Sequence, residues 1–202
     1  MNEVYIEREN FDKIISYAKC AYDKYKSEIG GMAVCIELED KWIIQDPVIL
    51  KQEISGGNCE LDKTALAKYY TEYGMKYKNT NYRFLWWHSH HTMGAFWSST
   101  DLEAIDEFKE GDLSFALVVN LKREYVMRVS VWKPVEIHKD VTLEVVNNSV
   151  DESIEKEVDK LCEKEVSITH VGSVTRGSYS HYQTNLLNHY SKTEKVDANH
   201  KK

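Results

Sequence analysis

Three side chains able to hold a divalent cation lie close together in the chain: His88, His90 and Asp101. Residues 82–87 are mostly apolar and predict a buried strand that runs into His88, Ser89, His90 and His91. Residues two apart on a strand point to one face, so both imidazoles can converge on a single ion at about 2.0–2.1 Å each. Asp101 stands near the start of the next predicted helix, across a loop from the histidines. A carboxylate there would complete three protein ligands and leave a fourth tetrahedral position for water, the pattern of a catalytic zinc centre. Zinc-bound water ionises near neutral pH, which makes hydroxide available as a nucleophile. Such chemistry also needs a proton acceptor. Glu28 is the candidate, at the mouth of the first predicted strand and just before Ile29, Gly30 and Gly31. Glycines there would let the backbone approach the metal strand closely. Glu37, Glu39, Glu53 and Glu60 are nearby in sequence and are read as solvated.

Other readings of these residues stay open. His88 and His90 can be ordinary polar residues at a strand end. Ser98 and Asp101 also match a helix capping box, and Asp101 in a first turn suits the helix dipole. Both roles can hold together, with Ser99 sharing the cap. His91 is read as a loop residue and not as a fourth ligand. Phe96 and Trp97 either grip an extended substrate tail beside the metal or pack the loop that carries them. Trp86 and Trp87 are read as packing beneath the site, and Cys35 as a small buried hydrophobe. His138, His170, His181, His189 and His200 are scattered and read as surface residues.

The segment WWHSHHTMGAFWSSTDLEAI, residues 86–105, carries the spacing H-x-H-x(7)-S-x-x-D. This resembles the motif of the JAMM metalloenzymes, the family of JAB and MPN domains, and most resembles their short prokaryotic or viral kind. The setting of Glu28, E-I-G-G-M, resembles the family's upstream glutamate. The resemblance covers about residues 5 to 135 in element order. It implies an MPN-like, cytidine-deaminase-like α/β fold. It implies one Zn2+ ion on His88, His90 and Asp101, with Glu28 as general base and then general acid. Ser98 would help to stabilise the oxyanion and position the water. The implied activity is hydrolysis of a peptide or isopeptide bond, with a protein or peptide substrate that could be a ubiquitin-like C-terminal tail. Many members have proline after the second histidine and before the serine, where this chain has His91 and Trp97. Some MPN domains are scaffolds without metal, so an interaction module or virion-associated scaffold is the alternative. A zinc-dependent hydrolase of small molecules is a third reading.

The elements that must position these groups follow from periodicity. Phe11, Ile14, Ile15, Ala18 and either Ala21 or Tyr22 mark one face of an N-terminal helix. Residues 32–38 and 42–50 predict a strand hairpin turning at Glu39, Asp40 and Lys41, with Pro47 making the second strand an edge or irregular. Residues 55–62 predict a loop. A second helix, capped by Asp62, would run to about residue 78 with Leu66, Tyr69, Tyr70 and Tyr73 on one side. A third would cover about residues 99–110 and end at Gly111. Further strands are expected at 113–121, 124–132 and about 135–146, with Lys122 and Arg123 as a turn, then a helix over 150–164. The fold class is therefore α/β, a mixed sheet flanked by helices in a single domain over residues 1–166. Residues 167–202 are rich in Ser, Thr, His, Asn and Tyr and predict a flexible tail, with a short helix near 182–190 as the exception.

The chain has 202 residues, 42% of them hydrophobic and 11% aromatic, which is enough for a sizeable core. Its net charge of −7 disfavours nucleic acid as a partner, since phosphate binding needs clustered basic residues. The charged start lacks the apolar core of a secretory signal, and no apolar stretch is long enough to span a bilayer. Four cysteines without a C-x-x-C pair suit a reducing compartment. A cytoplasmic location without membrane attachment is expected, with association with a virion as the other setting.

Overall fold

The structure is a computed structural model that describes residues 3–109 and 111–147. It opens with a strand that the periodicity does not predict, β1 (Val4–Glu7), in which Val4 and Ile6 are buried. Four residues flanked by charge are too short a pattern to stand out. Helix α1 (Arg8–Tyr25) buries Phe11, Ile14, Ala18 and Ala21, so Ala21 and not Tyr22 completes the stripe. Strands β2 (Gly30–Leu38) and β3 (Lys41–Ile49) form the expected hairpin. Its two central residues, Glu39 and Asp40, have φ of 49° and 66°, as a two-residue primed turn requires. Strand β3 is not an edge, because it lies between β1 and β2. It is irregular beside Pro47: Asp46 has φ of 50° and the register slips opposite Met32 and Val34.

The predicted loop at 55–62 is instead part of a small antiparallel hairpin, β4 (Gln52–Ser55) and β5 (Asn58–Leu61), turning at Gly56 and Gly57. The strands are short and mostly polar, so their alternation is weak in sequence. Helix α2 (Lys63–Lys76) is capped by Asp62, whose side chain accepts the Ala65 N–H at 2.9 Å. Strand β6 (Tyr82–Ser89) leads to helix α3 (Ser99–Glu107). That helix stops at Phe108, short of Gly111, which with φ of 68° serves the turn into β7 (Leu113–Val119). Strand β8 (Tyr125–Val131) follows.

The expected single strand at 135–146 is two strands, β9 (Ile137–Val141) and β10 (Leu143–Val146), separated by Thr142 alone. The eight-stranded sheet has the order β10-β1-β3-β2-β6-β7-β8-β9, so these neighbours in sequence lie on opposite edges. One length of chain therefore pairs with β8 first and β1 second. The twisted sheet curls until its edges meet there. Three of its pairings are parallel and the rest antiparallel, which makes it a mixed sheet.

Both sheet faces are covered, which is why β7 is buried along its whole length. Ala33, Cys35, Leu85, Trp87, Phe115 and Leu117 pack on one face against α1. Met32, Val34, Trp86 and Ala116 pack on the other with Tyr69 of α2 and Ile105 of α3. All described elements belong to one compact unit, a mixed α/β domain. The helix expected over 150–164 and the expected tail at 167–202 lie outside the described residues. Among the described residues, no helix is long and apolar enough to cross a membrane.

Candidate metal centre

Trp86, His88 and His90 alternate along the end of β6 and so project from one face of the sheet, the side on which α3 packs. The backbone holds them from both flanks. Strand β2 pairs Gly30 with His88, and β7 pairs Val118 with His88. The His90 N–H continues the β7 pairing by donating to the Val119 carbonyl at 2.8 Å. Helix α3 then delivers Asp101 in its first turn.

The three side chains meet. The His88 and His90 Nε2 atoms are 3.1 Å apart. His88 Nε2 is 3.0 Å from Asp101 Oδ1, and His90 Nε2 is 3.2 Å from Asp101 Oδ2. All three residues are buried, and their ligand atoms form a group that can hold a metal ion. His90 Nδ1 donates to the Gly94 carbonyl at 3.2 Å, which fixes the tautomer and leaves the Nε2 lone pair facing the group. His88 stacks on Trp86 at 4.5 Å, and among the described residues its buried Nδ1 has no hydrogen-bond partner.

Asp101 has two duties. Its Oδ2 accepts the Ser98 backbone N–H at 2.7 Å and the Ser98 hydroxyl at 2.6 Å, while its own N–H donates to Ser98 Oγ at 3.2 Å. This is a full capping box, and Ser98 is the cap without help from Ser99. The capping and ligand readings of S-x-x-D therefore coexist: one carboxylate oxygen is shared with the cap and the other is directed at His88. Burial works against the Asp101 charge, but the His88 and His90 imidazoles and the Ser98 hydroxyl beside it overcome it and hold the carboxyl well below its ordinary range. Burial lowers the pKa of His88, which favours the neutral imidazole that ligates metals. Burial also opposes charge on His90, yet Asp101 and Glu28, which would favour its protonated ring, shift it upward.

Glu28 is only 5% exposed and stands where β2 begins, beside the group. The Ser89 N–H donates to the Ile29 carbonyl at 2.9 Å, and the buried Ser89 hydroxyl accepts the Ile29 N–H at 3.2 Å. These bonds extend the β2–β6 ladder past Gly30 and bring Glu28 in line with His90. No hydrogen bond from the described residues engages its carboxylate. Burial raises its pKa, His90 and His91 pull it back, and the Asp101 charge raises it further. The buried Asp101 carboxylate keeps its negative charge in this setting, and a cation held by the group would balance it.

The glycines make room mainly for β3, for Cys59 and for the Trp87 indole, and less for the backbone of the metal strand. A Cβ on Gly31 would lie 2.1 Å from the Val48 carbonyl oxygen and 2.6 Å from the Trp87 indole. On Gly30 it would lie 2.8 Å from Cys59 Sγ. Phe96 and Trp97 differ from each other. Phe96 is 49% exposed with its ring 4.8 Å from that of His90. Trp97 is partly buried, donates to Asp140 Oδ1 at 3.2 Å and lies under the Arg128 guanidinium at 5.2 Å. Trp97 thus packs the loop onto β8 and β9, and only Phe96 presents a free face.

Two supporting residues escape the sequence reading. Gln52 donates to the Gly30 carbonyl at 2.8 Å and accepts the Gly30 N–H at 2.9 Å, so it pairs with β2 as a strand would. Nothing in its sequence setting marks it. The buried Asn120 donates to the Met93 carbonyl at 2.7 Å and ties the 92–97 loop to the β7–β8 turn. An Asn directly after an apolar strand is its only signal. No family model matches the chain, and no curated protein matches it either.

Proposed function

We propose that this protein is a zinc-dependent metallopeptidase or isopeptidase of the JAMM type, built on an MPN-like domain. The observation that carries this reading is the meeting of His88, His90 and Asp101 with Glu28 beside them. Zinc suits the donors. Two imidazole nitrogens and a carboxylate oxygen form a common catalytic zinc set, and 2.0–2.1 Å bonds place tetrahedral ligands about 3.3–3.4 Å apart. The separations here are 3.0, 3.1 and 3.2 Å. When bound, the ion supplies a Lewis acid and a water acidified to near neutral pH.

The chain's own residues do the remainder. Glu28 takes the proton of the attacking water and later returns it to the departing amine. Burial lifts its pKa toward the working pH, which improves it for both tasks. Its base form must be free, so activity rises as pH passes upward through that raised pKa. Asp101 is braced by Ser98 and keeps its charge. The Ser98 hydroxyl lies on Asp101 Oδ2, so its service to an oxyanion requires it to turn from the cap. Phe96 offers an aromatic face to an extended peptide. A scaffold would have no use for four buried, converging ionisable groups, which favours the enzyme over the interaction module.

The test is metal analysis of the purified protein, with a screen of ubiquitin-like fusions and crosslinked peptides for chelator-sensitive cleavage. Glu28→Gln should keep one zinc per chain and lose about 10²–10⁴ in turnover. Absence of zinc under every loading condition, or full activity in that variant, would sink the reading.

A further inference from the structure

His91 follows the second candidate ligand and takes no part in the three-residue group, yet it is engaged on every side. Its backbone has φ of 29°, and its carbonyl accepts the Leu121 N–H at 2.8 Å beyond the end of β7. The Thr92 N–H donates to its Nδ1 at 2.7 Å. In the neutral ring the proton must then sit on Nε2. Nε2 is 3.1 Å from the Gly56 carbonyl and donates to it. The ring stacks on Tyr22 of α1 at 5.3 Å, and the Lys26 ammonium lies 4.4 Å from the centre of that tyrosine.

Gly56 is the tip of the β4–β5 hairpin. Among the described residues, nothing lies within 4 Å of where a Cβ on Gly56 or Gly57 would be, so that side of the tip is open. The other anchors sit lower down. Gln52 pairs with Gly30, and the Glu28 N–H donates to the Ser55 carbonyl at 3.0 Å. The hairpin therefore touches the backbone of Glu28 at one point and the end of the metal strand at another.

We propose that His91 is a positioning residue that latches the hairpin tip to the end of β6. It thereby holds the hairpin against the start of β2, where the Glu28 N–H meets Ser55, as a wall beside the centre that a peptide would lie along. The latch stands on the contacts above; its effect on a substrate rests on the metallopeptidase reading.

His91→Asn tests it, because Asn tolerates a positive φ but is too short to reach Gly56. Amide hydrogen exchange at fixed pH should become about 3- to 10-fold faster over residues 52–61. Exchange in β2, β6 and β7 should not change, and zinc content should be retained. His91→Gln, which keeps a donor of similar reach, should restore part of the protection. Tyr22→Leu removes the stacking partner and should loosen the same segment less. With a peptide that the protein cleaves, KM should rise several-fold in His91→Asn while kcat holds. Unchanged exchange over 52–61 in both His91→Asn and Tyr22→Leu would overturn the latch, as would faster exchange spread evenly over the sheet. A loosened hairpin in a protein that cleaves nothing would keep the latch and discard the peptidase. Cleavage with an unaffected hairpin would do the reverse.

Discussion

Replacing Gly31 by alanine should be among the most damaging single-methyl additions in this chain. The new Cβ would fall 2.1 Å from the Val48 carbonyl oxygen and 2.6 to 2.7 Å from two atoms of the Trp87 indole. Neither neighbour can yield cheaply. The carbonyl belongs to β3, where Val48 pairs with Met32, and Trp87 is fully buried in the core against α1. Relief means opening the β2–β3 ladder or displacing the tryptophan. Overpacking a core commonly costs about 1–3 kcal/mol, and a backbone clash of this depth belongs at about 3 kcal/mol or above. For a chain of this size that lowers the melting temperature by about 6–12 °C. Gly57→Ala is the control: its Cβ meets nothing within 4 Å. It should range from neutral to a gain of about 1 kcal/mol. Urea and thermal unfolding of both variants, with chelator and with zinc, would measure the difference. A Gly31→Ala protein within about 0.5 kcal/mol of wild type would refute the packing of β2 at Gly31 against the β3 carbonyl and the Trp87 indole.

Three further outcomes follow from the same structure. Ser98→Ala removes the cap of α3 and the brace on Asp101, so it should cost about 0.5–2 kcal/mol of stability and about 10–100-fold in metal affinity, by unfolding and competitive chelation. In chelated protein, Asp101 contributes stability through a depressed pKa: the contribution is complete above the ordinary aspartate value and is lost as pH falls below it. Urea unfolding from pH 6 to pH 3 should show the onset of that loss, and Asp101→Asn should flatten it. Among the thiols of the described residues, Cys20 is exposed and should alkylate readily at pH 8. Cys35 is buried, and burial with the charges of Glu28 and Asp101 pushes Cys59 up to about 12, so peptide-resolved alkylation should find both protected.

Much of the fold is legible because local rules happen to agree with the tertiary arrangement. The α1 stripe, the Asp62 cap and the Glu39–Asp40 turn each depend on a few adjacent residues, and each is found. The strand β1 and the β4–β5 hairpin are not legible: four residues carry too little periodicity, and their pairing comes from β3, β10 and each other. Helix α3 ends at Phe108, before Gly111, whose φ of 68° serves the turn into β7.

The amino-acid order alone determined which side chains could meet. Histidines two apart on a strand must share a face, and an S-x-x-D start must fold its carboxylate back on its own helix; these are short-range consequences of backbone geometry. Only the tertiary structure decided that Glu28 reaches them from a strand distant in sequence, because that depends on β2 pairing with β6. It also decided that Trp97 packs while Phe96 stays free, and that Thr142 carries one strand from edge to edge of the sheet. Those outcomes rest on contacts between residues far apart in the chain, which no local pattern records.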